Sequence, residues 1–380
     1  MNLFTLILIS GCLILGINSQ NQSKDFSEKL TYSEPEVCAK AGCVRGKVES
    51  GRLKPYDAFY GIPYAEPPVG KLRFESPVPY AGWSGYWNAT YPRDSCTQRS
   101  TNFPNSEDCL YLNIYRPIHR LKDKKLPVMV WIHGGSFISF SGSPDFFGPE
   151  YLMDNGEVIV VTLNYRLGIF GFLCSGDEAV KGNFGLKDQQ LALQWVASNI
   201  ESFGGDQNSI TLAGHSSGAA TVHLQMMNSN SQALFHRVIL MSGSALGPFM
   251  YPIDFPAQFR LVAKSSGLSN WDTDSKSSLA KGLKNIEAST LLTAMDDLFV
   301  LDSIPATPLR PCVEGNWEGA FMTEDPRKGP YSFVELLTGK DLNLGVGHLD
   351  NILYLFTIKI LFPPFEENTT ESKMVDIYEY

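Results

Sequence analysis

The amino-acid sequence predicts an α/β fold in which a mostly parallel central sheet is flanked by helices. Residues 127–133 and 158–163 are nearly all apolar, as is typical of parallel strands that are covered on both faces. Residues 187–202 carry apolar side chains at i, i+4 spacing, which indicates a helix. A strand-like run at 209–213 and a helix-like run at 219–227 follow, and this alternation indicates a doubly wound sheet.

The remaining elements are shorter and lie on either side of this central part. Further strands are expected at residues 44–48, 57–61, 110–115 and 238–241. A Pro-rich loop at 62–73 and an irregular stretch at 82–91 separate the early strands. Helices between 252 and 302 suit the edge of the sheet, and the sequence beyond residue 305 follows no regular pattern.

Composition and charge exclude several classes of protein. The chain has 380 residues, of which 43% are hydrophobic, 19% charged and 12% aromatic, enough for a large core and a deep apolar pocket. The net charge of −9 argues against binding to nucleic acid or to an anionic membrane surface.

The amino-terminal residues are typical of a secretory signal. Residues 3–17 are almost all apolar, too few to span a bilayer comfortably, and polar residues follow them. Residues 1–19 are therefore predicted to be a signal peptide cleaved near Ser19, the alternative being an uncleaved anchor. Residues 20–380 would then form one secreted domain without a transmembrane segment.

Cysteines and glycosylation sequons fit the same compartment. Of seven cysteines, Cys12 lies in the signal, and no C-x-x-C pair occurs, so neither a zinc site nor any other metal or cofactor is expected. Sequons begin at Asn21, Asn88 and Asn368, and glycosylation is predicted at the last two.

The most informative motif is GHSSG at residues 214–218, placed between a predicted strand and a predicted helix. A G-x-S-x-G sequence in that context is typical of a nucleophile elbow, where a sharp turn holds the serine hydroxyl clear of the sheet. Ser216 is therefore the candidate nucleophile. A serine needs a histidine as base and a carboxylate to orient that histidine, and on this fold the chain order is Ser, acid, His.

The candidate base is His348, because it is the only histidine well beyond the serine. It lies in a glycine-rich loop that could present an imidazole; the alternative is a solvated loop histidine. Backbone N–H groups of Gly134, Gly135 and Ser217 are the candidate oxyanion donors, since an HGG sequence follows a buried strand and the serine motif comes later.

Several longer runs are specific to one family. They are YGIPYA at 60–65, SEDCLYLN at 106–113, NYRLG at 164–168, GNFGLKDQ at 182–189, FGGD at 203–206, MSGSA at 241–245 and GVGHLD at 345–350. In these runs the chain resembles the type-B carboxylesterases, which include cholinesterases and insect carboxylesterases. The resemblance implies an α/β-hydrolase fold and an enzyme that hydrolyses small-molecule carboxylic esters.

The resemblance also assigns roles to individual residues. It makes Ser216 the nucleophile and His348 the base, with Gly134, Gly135 and Ser217 as the oxyanion hole. Ser217 replaces the family's usual alanine, a mild departure because only the backbone N–H is used. Residues 97–108 lack the tryptophan that binds choline in cholinesterases, so a choline site is not expected.

The resemblance also implies a Cys96–Cys109 disulfide. Cys38 and Cys43 can pair locally, Cys174 is expected to be free and buried, and Cys312 has no assigned partner.

The catalytic acid is the part of the pattern that is missing. The family's acid is a glutamate in an Asp-Glu-Gly-like run downstream of the segment that corresponds to residues 319–326, and no such run occurs here before His348. Glu314 and Glu318 belong to the segment upstream, and neither Glu335 nor Asp341 matches. The acid is thus unknown, and the domain is expected to be incomplete after about residue 328, with an internal gap and a shortened carboxyl terminus.

Three functions fit this pattern. The first is a secreted serine carboxylesterase that acts through an acyl-enzyme, impaired by loss of its acid. The second is a non-catalytic, esterase-like binding or adhesion protein, a class that usually loses the serine that is retained here. The third is a splice form or fragment that does not fold stably.

Overall fold

The computed structural model describes residues 33–99, 103–118, 124–247, 250, 252–299 and 307–328, and the backbone of 335–339. All of the elements below fall within one compact unit that begins at Glu34. Four predicted features lie outside the described residues: the signal peptide at 1–19, His348, Asp341 and the sequon at Asn368.

Thirteen strands lie in the part of the chain that the structure describes. They are β1 (Glu36–Ala39), β2 (Gly42–Arg45), β3 (Lys47–Glu49), β4 (Tyr56–Pro63), β5 (Tyr86–Asn88), β6 (Ser95–Cys96), β7 (Asn105–Ser106), β8 (Tyr111–Pro117), β9 (Leu126–Ile132), β10 (Ile159–Leu163), β11 (Gly205–His215), β12 (Arg237–Met241) and β13 (Glu335–Gly339).

The described ranges also contain eight α-helices. They are α1 (Glu150–Asn155), α2 (Gly168–Phe172), α3 (Phe184–Asn199), α4 (Ser217–Met227), α5 (Ser229–Gln232), α6 (Phe255–Ser265), α7 (Lys276–Lys284) and α8 (Ala288–Ala294). None of the helices in these ranges has the length and apolar character needed to cross a membrane.

Eight strands form the central sheet, in the order β13-β12-β11-β9-β10-β8-β4-β3. The five strands from β13 to β10 run parallel, whereas β8, β4 and β3 pair antiparallel. The sheet is therefore mostly parallel, as predicted, and its three early strands form an antiparallel part. A separate sheet contains β1, β2 and β5, and a small ladder joins β6 to β7.

The sheet is covered on both faces, as continuous apolar strands require. In β9, Val128, Val130 and Ile132 point into the larger cluster of buried apolar residues, whereas Trp131 points into the smaller one. Helices α3 and α4 pack into the larger cluster, which they line with leucine, valine and alanine side chains. Met153 of α1 packs into the smaller cluster on the opposite face.

Candidate active site

Ser216 lies at the sharp turn between β11 and α4, as a nucleophile elbow requires. Its backbone has φ 56° and ψ −124°, a conformation that is costly for any residue with a side chain. The turn is held on both sides: the Ser216 N–H donates to the Met241 carbonyl at 2.8 Å, and the Ser216 carbonyl accepts from the Ala220 N–H at 3.1 Å. The surrounding hydrogen bonds thus maintain a strained serine at the end of a buried strand.

The two glycines of the motif allow this turn to pack closely. A Cβ on Gly218 would lie 2.3 Å from the Ile132 carbonyl oxygen, and one on Gly214 would lie 2.7 Å from the Gly218 carbonyl carbon. Both approaches are shorter than any real carbon contact, so only glycine fits. The start of α4 therefore rests directly against the end of β9.

The segment that follows β9 lies beside the serine. A Cβ built on Gly134 would be 3.1 Å from the Ser216 Cβ, which places the Gly134 backbone next to the candidate nucleophile. Ser217, the third candidate donor, is the first residue of α4. The structure therefore brings the turn after β9 and the start of α4 to one end of the sheet.

Residues 134–140 form an unusual turn with left-handed backbone at four of seven positions. Positive φ values occur at Gly135, Ser136, Phe137 and Phe140, at 103°, 56°, 63° and 74°. The Gly135 carbonyl accepts from the N–H groups of Ile138 and Ser139 at 2.9 and 3.0 Å, which closes the turn.

Neighbouring elements hold the same turn from outside. The Gly168 N–H donates to the Phe137 carbonyl at 2.7 Å, and the Phe137 N–H donates to the Ser217 hydroxyl at 3.4 Å. The buried Gln98 side chain contacts Phe140 as well. Ser217 therefore differs from the family's usual alanine by a contact to this turn.

His133 orients the first peptide of the turn. Its ring is buried and stacks on Tyr165, with ring centroids 4.4 Å apart, and its Nδ1 lies 2.8 Å from the Gly134 carbonyl oxygen. Burial lowers the pKa of His133 to about 4, so the ring is neutral near pH 7. Because a carbonyl only accepts, Nδ1 carries the proton. The Gly134 carbonyl is thus turned toward His133, and the N–H of the same peptide, which belongs to Gly135, points the opposite way.

Two other histidines near the motif have structural partners. The Nδ1 of His223 lies 3.1 Å from the Ser244 hydroxyl and accepts from the Ala245 N–H at 3.3 Å, and burial lowers the pKa of His223. His215 is buried at the end of β11. Neither replaces His348, the candidate base, which lies outside the described residues.

The glutamates considered as acids lie away from the serine or are engaged elsewhere. Glu335 begins β13 and pairs with Arg237, whereas Gly339 at the other end pairs with Met241, which in turn pairs with His215. Four residues of strand, about 13 Å, therefore separate Glu335 from the level of the nucleophile.

Glu314 is buried in a hydrogen-bonded cluster. Its carboxylate accepts from the Lys187 ammonium at 2.6 Å, from the Asn183 amide at 2.8 Å and from the Phe321 N–H at 2.8 Å. Burial lowers the pKa of Lys187, with the Glu314 charge acting in the opposite direction. The Glu314 carboxylate thus anchors residues 307–328 to the start of α3. Glu318, the other glutamate of this segment that was considered, is exposed.

Three disulfides are present among the described residues. Cys38 pairs with Cys43 and Cys96 with Cys109. Cys174 pairs with Cys312, so the expectation of a free Cys174 is wrong. The two cysteines are 138 residues apart, and sequence spacing could not show that the chain after residue 307 returns to the loop that follows α2.

The predicted glycosylation site at Asn88 lies on the surface of the protein. Asn88 is exposed at the end of β5, and its side-chain oxygen accepts from the N–H and hydroxyl of Thr90 at 3.1 and 2.7 Å. Within the described ranges, no group of three or more His, Cys, Asp or Glu side chains is arranged to hold a metal ion.

The sheet, its crossing helices and the serine turn after β11 define the chain as an α/β-hydrolase. The Carboxylesterase family model matches residues 33–339. The chain therefore belongs to the carboxylesterase family, as the sequence motifs predict.

Similar proteins include insect esterases. The chain is 42% identical to juvenile hormone esterase of Tribolium castaneum over 331 residues, covering 83% of this chain and 56% of that protein. It is 40% identical to venom carboxylesterase-6 of Apis mellifera over 302 residues, covering 77% of this chain and 53% of that protein. The chain thus spans about half the length of the curated relatives it matches.

A solved structure of an insect esterase is also similar to this chain. The crystal structure of juvenile hormone esterase from Manduca sexta, with OTFP covalently attached, aligns with a TM-score of 0.71 at 34% identity, covering 78% of this chain and 57% of that one. This similarity confirms the predicted α/β-hydrolase fold.

Sequence reasoning found the serine and glycine motifs but missed two side chains that support them. The His133 ring and the Gln98 amide act through backbone atoms of residues 134–140, and no motif spacing indicates such contacts. A signal for His133 was available, since it opens the HGG run.

Proposed function

We propose that this protein is a secreted serine carboxylesterase that hydrolyses small-molecule carboxylic esters through an acyl-enzyme. One observation carries the proposal: Ser216 is held in a strained strand-to-helix turn with the Gly134 backbone beside it. Membership of the carboxylesterase family and similarity to insect esterases support the same reaction.

The reaction would proceed in two balanced steps. The Ser216 hydroxyl attacks the ester carbonyl while His348 takes its proton, and the negative oxygen accepts hydrogen bonds from the N–H groups of Gly134, Gly135 and Ser217. The C–O bond of the ester breaks, the alcohol leaves with the proton held by His348, and an acyl-Ser216 ester remains. Water then attacks this ester in the same way and releases the acid.

We expect turnover to be slow, because the sequence before His348 has no acid that matches the family's glutamate, which would orient that histidine. In other serine hydrolases, loss of that carboxylate costs up to about 10⁴-fold in turnover. The oxyanion donors and the bound ester would still provide a residual rate. If another carboxylate has taken the place of the missing acid, a variant that changes this carboxylate should lose the residual rate.

The test is covalent labelling together with hydrolysis of a short-chain aryl ester. An organophosphate should attach to Ser216 in the intact chain, Ser216→Ala should abolish both labelling and hydrolysis, and His348→Ala should strongly reduce hydrolysis. Ser278→Ala, an exposed serine on α7, serves as the matched control and should retain both. A folded protein that is neither labelled nor active would refute the esterase proposal and favour the alternative, a non-catalytic esterase-like binding protein.

Secretion is a separate part of the proposal. An apolar leader at residues 3–17, the exposed sequon at Asn88 and a relative named for venom support it. Amino-terminal sequencing of material from the medium should begin near residue 20. Asn88→Gln should remove one glycan from its mass, and retention of an uncleaved leader in the cells would contradict this part.

A further inference from the structure

We propose that Gln98 is a positioning residue for the oxyanion donors, because its buried side-chain amide clamps the end of the turn at residues 134–140. This inference rests on the proposed function of the site at Ser216. Gln98 touches neither the serine nor the candidate donors; it would act through the backbone of Phe140.

Both the nitrogen and the oxygen of the Gln98 side-chain amide form hydrogen bonds with backbone groups. Its Nε2 donates to the Phe140 carbonyl at 2.9 Å and to the Cys96 carbonyl at 3.0 Å, and its Oε1 accepts from the Phe140 N–H at 2.9 Å. The side chain is only 4% exposed. A flipped amide would place oxygen against two carbonyls, so the network fixes the orientation of the amide.

The clamp grips a residue that would not hold its conformation alone. Phe140 has φ 74°, and Ser136 and Phe137 before it are also left-handed. Such conformations cost free energy in residues other than glycine and persist only where the surroundings determine them from several sides. Gln98 bonds both the N–H and the carbonyl of Phe140, which is the pairing that a neighbouring strand would provide.

A short path links the clamp to the candidate donors. The residue before Phe140, Ser139, bonds the Gly135 carbonyl with its N–H and with its hydroxyl, both at 3.0 Å. At the other end of the turn, the His133 ring holds the Gly134 carbonyl at 2.8 Å. The peptide that carries the Gly135 N–H is therefore held by His133, and the next peptide is held by Ser139, the neighbour of the clamped Phe140.

The clamp itself is supported by the disulfide loop. Gln98 follows Cys96 by two residues, and Cys96 is bonded to Cys109. The Thr97 N–H donates to the Ser106 carbonyl at 3.1 Å, which continues the ladder of β6 and β7. This loop brings a glutamine to the turn from a part of the chain 42 residues earlier. The Cys96–Cys109 bridge therefore holds the segment from which the Gln98 side chain extends.

The experiment compares Gln98→Met and Gln98→Glu with the unchanged protein. Methionine keeps the length of the side chain without hydrogen bonds, and glutamate keeps the acceptor for the Phe140 N–H but loses both donors. Turnover of a short-chain aryl ester is measured per site titrated by an organophosphate. We expect kcat per titrated site to fall about 10- to 100-fold in both variants, with KM within about twofold, since removing one oxyanion donor outright costs about 10²–10³-fold.

The matched control is Gln258→Met. Gln258 also donates its amide to a backbone carbonyl, that of Pro308 at 2.6 Å, but from helix α6. It should keep kcat per titrated site even if the protein melts at a lower temperature. Unchanged kcat per titrated site in Gln98→Met would overturn the inference and leave Gln98 a purely structural residue.

Hydrogen exchange separates this inference from the proposed function. In Gln98→Met, amides in residues 135–140 should lose protection while those of α3 and α4 keep theirs. If the unchanged protein shows neither labelling nor hydrolysis, the proposed function fails. Hydrogen exchange then remains as the test of whether Gln98 holds the turn. Loss of protection confined to 135–140 would then support the clamp, and unchanged protection would overturn it.

Discussion

Ser216 depends on contacts that its own side chain does not make. Gly218 lets α4 begin against the carbonyl groups of Ile132 and His133, at distances that no Cβ allows. We expect Gly218→Ala to lower the free energy of unfolding by about 1–3 kcal/mol, as overpacking does. The serine would move with the helix, so labelling by an organophosphate should be lost or strongly slowed.

Gly282→Ala in α7 is the matched control for this change. Its Cβ would meet only the side chain of Leu268, at 3.1 Å, which can move. A helix-interior alanine is favoured over glycine, so denaturant unfolding should show little loss or a small gain. Equal destabilisation by both changes would contradict the argument from close approach.

His133 should make the stability of the protein depend on pH. Its pKa is about 4 in the folded protein and about 6.5 when unfolded, so the unfolded chain binds the extra proton between these values. Stability is therefore retained above about pH 6.5 and falls as pH drops toward 4, by about 3 kcal/mol from this group.

Urea unfolding at pH 7 and at pH 4 measures this effect. His133→Phe should lose this part of the difference between the two pH values. Tyr165→Phe should keep it, because it removes only a hydroxyl that donates to the His133 carbonyl at 2.8 Å. An identical pH difference in His133→Phe and the unchanged protein would count against a buried neutral ring.

At the level of single residues, the sequence predicts the groups that would take part in the reaction better than the side chains that hold those groups in place. Ser216, Gly134 and Gly135 stand in motifs whose spacing reflects the geometry of a turn, so they could be named in advance. The Gln98 clamp could not, because a side-chain amide bonding a backbone 42 residues later leaves no trace in local spacing. Cys174 was wrongly expected to be free because its partner, Cys312, lies 138 residues later, and local spacing does not show such a pairing.

At the scale of the elements, the register of β13 bears on whether Glu335 could be the catalytic acid. Its parallel register places Glu335 at the end of the strand remote from Ser216. We expect Glu335→Gln to change kcat per titrated site by less than about twofold, because the strand rise leaves about 13 Å between the two levels. The sequence predicts a similarly small effect for Asp341→Asn, unless that residue is a substitute acid. A loss of activity in Glu335→Gln that exceeds the loss in Asp341→Asn would show that this register is wrong.

Most strands of the central sheet were predictable from the sequence, but the direction in which they pair was not. Strand β10, most of β9 and the end of β11 are buried on both faces, so their apolar runs are continuous, whereas β11 also begins four residues before the predicted start at 209. Strand β4 pairs antiparallel both with the nearby β3 and with β8, which comes from a distant part of the chain. No local pattern reveals which strand a given run will join, so the mixed character of the sheet appeared only in the structure.

For the whole molecule, the disulfides differ in how much of the chain they enclose. Cys174–Cys312 spans 138 residues, whereas Cys38–Cys43 spans five. In the chain-entropy model, these loops are worth about 5 and about 2 kcal/mol of stability. The double variant Cys174→Ser/Cys312→Ser should therefore melt at a clearly lower temperature than Cys38→Ser/Cys43→Ser. The opposite order would show that native-state strain outweighs loop closure.

The long disulfide also determines what a single cut by a protease would do to the protein. The exposed turn between α6 and α7 lies inside the 138-residue loop. A single cut there would produce a two-chain molecule whose halves stay covalently linked. It would run as one band on a non-reducing gel and as two after reduction. The serine and the turn after β9 would remain on the same amino-terminal piece, so nicking need not end the reactivity of the protein.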